Sequence, residues 1–226
     1  MSLTPERPLV KDRPPNHDGR DRTSWLRRAV WLEYFTVGWN VVEAGVAVAA
    51  GILAGSIALI GFGLDSLIEV TAAVALLWRL RKELRLGQEI SEDDHSALER
   101  RALLVVGITF FALAFYILID AGYNLITGRE AEESTLGIVL AAVSLAVMPA
   151  LALLKQKAAR VLESSALASD AMETWICTYL SLILLAGLVL NAALGWRWAD
   201  PVAALAMLPL IIKEGREALE EAREED

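Results

Sequence analysis

Six runs of apolar residues, at roughly 28–52, 56–78, 101–126, 136–154, 166–193 and 199–212, dominate the sequence and limit what it can fold into. Each of the first five reaches the ~17–25 residues that a helix needs to cross a bilayer. The sixth is shorter and contains Pro209, so its assignment leans on its neighbours. A soluble helical bundle of this length would need charged faces on its helices, and most of these segments lack them. The expected fold is therefore all-α, a polytopic membrane protein of six transmembrane helices.

Hydrophobic residues make up 55% of the chain, against about 45–50% for a soluble domain. The net charge of −8 is concentrated in loops and tails, such as "SEDDH" at 91–95 and "EEAREED" at 220–226. No basic face exists to neutralise phosphates, which excludes nucleic acid as a partner. The single cysteine, Cys177, excludes an internal disulfide. Residues 1–24 are polar and proline-rich, without the short apolar core of a cleavable signal, and read as a disordered cytoplasmic tail. Residues 25–215 form the membrane domain, and 216–226 a short acidic cytoplasmic tail.

Basic residues orient the chain. If the N-terminus lies inside, the inner segments carry 19 of the 21 Lys and Arg, leaving only Arg129 and Arg197 outside. Both termini are then cytoplasmic, which requires an even number of spans, and the expected location is a bacterial-type inner membrane. Trp25, Trp31 and Trp78 fall near predicted inner ends, and Trp196 and Trp198 near an outer end, as an aromatic belt requires.

Against this apolar background stand seven acids: Glu33, Glu43, Asp65, Glu69, Asp120, Asp170 and Glu173. An ionised group at the bilayer centre costs ~2.5–3.5 kcal/mol on insertion scales, so such residues face one another, a cation or water. Asp65 and Glu69 stand four apart on one face of the second helix. Glu33, Thr36, Asn40 and Glu43 form a polar stripe along the first, offering an access path from inside. Asp170, Glu173 or Thr174, Cys177 and Ser181 form another along the fifth. Three polar faces converge only if they line a common cavity.

Depth is a partial check. Glu43 lies 8 residues before Gly51 and Asp65 lies 9 after Ser56, placing both about 12–13 Å from the outer turn at 1.5 Å per residue. Asp170, 21 residues from Asn191, matches less well than Glu173 and Cys177. Several carboxylates, an amide and a thiol suit a divalent cation. Neighbouring carboxylates also compete for protons, because two like charges side by side oppose full ionisation. An antiporter needs that competition.

"GSIALIGFGLDSLIEV" (55–70), "SSALASDAMET" (164–174) and "GWRWADP" (195–201) resemble the cation diffusion facilitator family. The resemblance covers most of 28–215. It implies six membrane helices, a homodimer, and export of divalent metals such as zinc in exchange for protons. It places Asp65 and Glu69 at the helix-two metal positions and Asp170 at the second helix-five position. The first helix-five position, commonly His or Asp in the family, is Ala166 here. Replacements for that ligand, in order of preference, are Glu43, Cys177, Asn40 and Glu173. Cys177 favours zinc, whereas an all-oxygen shell leaves manganese or iron open.

The cytoplasmic metal-binding domain of many relatives has no counterpart in "KEGREALEEAREED", so a dimer rests on the membrane part. "EDDH" (92–95) falls where some relatives bind a peripheral metal, though a solvated acidic loop is the simpler reading. Asp120 and Asn124 fit either an exit path or a subunit contact. "GILAG" (51–55) reads as turn flexibility and packing. A metal sensor without transport is the main alternative. An intramembrane aspartyl protease is remote, because "GFGLD" has one residue too many for its GxGD motif. No resident cofactor is expected, only a transported ion.

Overall fold

The computed structural model describes residues 17–86, 97–129 and 131–224. These form six helices and, among the described residues, no strand: α1 (His17–Ala54), α2 (Ile57–Leu86), α3 (Ala97–Thr127), α4 (Thr135–Leu162), α5 (Ser165–Leu194) and α6 (Ala199–Glu224). Five of them, α1 to α5, contain stretches long and apolar enough to cross a membrane. The outer surface is correspondingly apolar: Trp31, Leu53, Phe115 and Ile126 are among many large hydrophobic side chains left exposed. In water such a continuous surface would be a liability, and in a bilayer lipid covers it.

Two boundaries differ from the sequence expectation. Helix α1 begins at His17, inside the stretch read as a disordered tail. Helix α6 runs unbroken through Pro209 and on to Glu224, taking in nearly all of the acidic tail. That tail is no free stub, because Ala218 and Ala222 are buried. At its root, Gly215 meets Phe110 of α3, and Leu219 lies over Gly107. Tertiary packing on one face supplies what a short charged helix lacks by itself. The "EDDH" loop lies outside the described residues.

Helices α1, α2, α4 and α5 pack as a four-helix group, with α3 and α6 paired beside it. The α1–α2 hairpin turns on Gly55, whose φ of +63° favours glycine. Gly51 then lets the two helices close at the turn, since a Cβ there would come within 2.8 Å of the Ile60 amide nitrogen. "GILAG" thus serves a turn and its packing. Asp200 at the start of α6 caps α2, accepting from the Ser56 hydroxyl and, at 2.9 Å, from the Ile57 amide. At the same end Asn191 donates to the Ala131 carbonyl at 3.0 Å, and the Glu132 amide donates to Ala54. Trp196 and Trp198 stack there, with ring centroids 4.9 Å apart. At the opposite end, which holds both described chain ends, a second apolar cluster joins Leu26, Leu80, Leu162 and Leu167.

Candidate cation site

The i, i+4 spacing of Asp65 and Glu69 puts both on the face of α2 that looks into the bundle. Cys177 of α5 faces them. One ligand atom from each of Asp65, Glu69 and Cys177 lies within 4.8 Å of the other two. Asp65 is 1% exposed and Cys177 0%, so both lie inside the bundle. A thiol and two carboxylates at that separation can close on a single divalent ion.

A supporting set surrounds this core. Asn40 of α1 donates from Nδ2 to Glu69 Oε2 at 2.9 Å, fixing that carboxylate. Ser66 donates to Glu43 Oε2 at 2.9 Å, which holds Glu43 one layer back from the cluster. Asp65 Oδ2 and Asn40 Oδ1 are buried with no hydrogen-bond partner. A buried acceptor left unpaired costs about 1–3 kcal/mol, a penalty that a bound ion would remove. Among the described residues, no Lys, Arg or His pairs with Asp65, Glu69 or Glu43.

A cavity of about 650 Å³ adjoins the cluster. Asp65 and Glu69 sit on its wall with Glu173, Glu214, Glu217 and Glu221. The last three come from the part of α6 beyond Ile212, so the cavity lies toward the end that carries the chain termini. The opposite side of the cluster is filled by apolar side chains, with Leu59, Phe62 and Ile117 fully buried. The cluster is thus open toward one end of the molecule and sealed toward the other.

The polar stripe of α1 is buried along its whole length: Glu33, Thr36, Asn40 and Glu43 are all at most 4% exposed. It does not line one passage. Asn40 and Glu43 serve the cluster, whereas Glu33 meets Lys155 of α4 at 3.3 Å. The open path runs instead between α2, α3, α5 and α6.

Asp170 is not gathered with Asp65 and Glu69. Its Oδ2 lies 2.6 Å from Lys155 Nζ, so one fully buried ammonium sits between the carboxylates of Asp170 and Glu33. The depth mismatch noted in the sequence has this physical outcome: Asp170 is level with Glu33, near the termini end, and finds its cation there. Lys155 itself escaped the sequence reading, which counted it as a loop cation one residue beyond the fourth segment. The signal was available, because α4 continues to Leu162 and a lysine inside a membrane helix needs polar or acidic partners. Glu214 was missed likewise, lying beyond the sixth apolar run. Asp120 accepts only a long contact from Tyr116, at 3.5 Å, and Asn124 is buried apart from the cluster.

The fold defines a multi-pass helical membrane protein with an acidic and thiol cluster inside its span. Comparison with known proteins names the group. Residues 35–225 match the cation efflux transmembrane domain, and the chain belongs to that family, the cation diffusion facilitators. An uncharacterized transporter of a Synechocystis strain is 25% identical over 172 residues, covering 76% of this chain and 56% of that protein. The cation-efflux pump FieF of Shewanella oneidensis is 25% identical over 160 residues, covering 71% and 54%. The magnetosome protein MamB of a Magnetospira strain is 23% identical over 198 residues, covering 88% and 64%. The chain spans little more than half the length of the first two. Together with the apolar helices, these bacterial relatives place it in a bacterial inner membrane.

Proposed function

We propose that the protein exports divalent metal cations, zinc foremost, in exchange for protons by alternating access. The observation that carries this reading is a buried acidic and thiol cluster with no internal cation, facing a cavity on one side only. Residues 25–215 act as the transport domain, with both termini in the cytoplasm. The metal arrives from the cytoplasm along Glu221, Glu217, Glu214 and Glu173, and is bound by Asp65, Glu69 and Cys177. Asn40 orients Glu69, and Glu43 adds negative charge from behind through Ser66. The thiolate favours zinc over manganese or iron, which prefer harder donors.

Glu173 belongs to the access path and hands the ion to the cluster. Asp170 keeps its Lys155 partner and bounds the site from below. Release outside requires the far end to open, so the Ser56–Asp200 and Asn191–Ala131 contacts part as the four-helix group rocks against α3 and α6. Protons arriving from outside then take the carboxylates and displace the metal. A homodimer through the membrane domain completes the reading, and the exposed apolar face of α3, with Ile108 and Phe115, is available for it.

The test is zinc flux into proteoliposomes under an imposed pH gradient, comparing wild type with Asp65→Ala. Flux that needs both the gradient and Asp65 supports the exchanger. Zinc bound at Asp65 without flux makes the protein a metal sensor. No binding of zinc, manganese or iron ends the transport reading.

A further inference from the structure

Some described basic side chains near the termini end of the bundle have an acidic partner. Arg22 pairs with Glu83, Lys213 with Glu217, and Arg216 with Glu220. Arg28 of α1 and Lys157 of α4 have no such partner. Both are exposed, and neither has a carboxylate within ion-pair distance among the described residues. They converge instead on one indole: Arg28 lies 4.7 Å and Lys157 5.5 Å from the centre of the Trp25 ring. In a chain of net charge −8, two cations brought together without an acid mark a place for an anion from elsewhere.

The pair stands at the mouth of a groove of about 760 Å³ between α1 and α4. Beyond the cations its walls are apolar, formed by Trp31, Phe35, Val147, Leu151 and Leu154. The helices run antiparallel here, so residues 28 to 35 of α1 pass residues 157 to 147 of α4. At 1.5 Å per residue the apolar part extends about 10–15 Å along the span. A cationic mouth over a long apolar slot, on a lipid-facing surface, has the shape and polarity of one phospholipid.

We propose that Arg28, Lys157 and Trp25 form a binding site for an anionic phospholipid, with its phosphate at the two cations and an acyl chain in the α1–α4 groove. The charges select an anionic headgroup over a zwitterionic one, and the slot selects a lipid over a soluble phosphate. The inference is independent of what the protein transports.

Native mass spectrometry of the detergent-purified protein tests it, with phosphatidylglycerol and phosphatidylcholine of identical chains added in turn. Wild type should prefer phosphatidylglycerol by roughly 30-fold, since each Lys or Arg beside an anionic lipid contributes about fivefold. The R28Q/K157Q double variant should lose that preference, and the R28K/K157R exchange should keep it. Lys82 also lies over a tryptophan, Trp78, at the same end of the molecule. R81Q/K82Q therefore serves as the control and should keep the preference. Equal binding of both lipids by wild type overturns the proposal, and so does a preference that survives in R28Q/K157Q. Equal loss in the control pair would mean unspecific surface charge. Competition by glycerol phosphate as strong as by the whole lipid would mean that the groove is not used. Arg28, Lys157 and Arg81 are exposed and Lys82 is half-buried, so folding should be preserved, and circular dichroism checks this.

Discussion

Two buried acidic clusters share this bundle, and they differ in where the positive charge comes from. At the triad, Glu33 and Asp170 surround Lys155, all three at most 8% exposed. At the site, Asp65 and Glu69 face Cys177 with no cation of the protein's own. The triad also joins α1, α4 and α5 beside a small cavity of about 110 Å³ that Asp170 lines, whereas the site sits on the wall of one of about 650 Å³. A carboxylate in lipid must be neutralised by something. Where the chain supplies the cation, the cluster holds helices together. Where it does not, the cluster is left to take a cation from solution, as the proposed transport requires.

The sharpest way to break this contrast is Asp65→Asn, which removes the charge and keeps the shape. Metal flux should fall by more than the roughly 10–100-fold that loss of an outer-shell partner costs, while thermal stability stays the same or rises. A fall in stability with intact flux would make Asp65 structural. The converse applies to Lys155→Met, which leaves two buried acids without their cation. It should destabilise the protein by about 3–5 kcal/mol, read as a lower unfolding temperature in detergent. Adding Glu33→Gln and Asp170→Asn to it should restore most of that loss.

Asn40→Ala should weaken metal binding by roughly tenfold, measured by titration calorimetry, because Glu69 loses the amide that orients it. Cys177→Ser should change selectivity more than affinity: zinc binding weakens several-fold and manganese binding stays nearly constant, since only zinc gains from the softer donor. The smallest effect belongs to Asp120→Asn, which should leave flux within about twofold, a surface substitution away from the special features of the fold.

The helices could be read from the chain because apolar length alone decides them. The runs at 56–78 and 166–193 become α2 and α5, and the helix-two pair at 65 and 69 faces inward because spacing fixes the face. Ends were less legible. His17 to Ser24 and Glu217 to Glu224 are helical although polar: Arg22 pairs with Glu83 and Leu219 lies over Gly107, contacts that sequence distance conceals. Acids could be found but not sorted. Glu33 and Glu43 lie on one stripe and end in different clusters, a separation made by Lys155 on a helix more than a hundred residues away.

The sequence by itself determined an all-helical membrane protein with carboxylates facing inward, because bilayer thickness and the helical repeat act on local stretches of chain. Only the tertiary structure decided which acids stand together, which of them already hold a lysine, and which end of the cluster is open. Charge neutralisation and cavity shape depend on the approach of side chains from four or more helices. No local rule sets that approach; packing does.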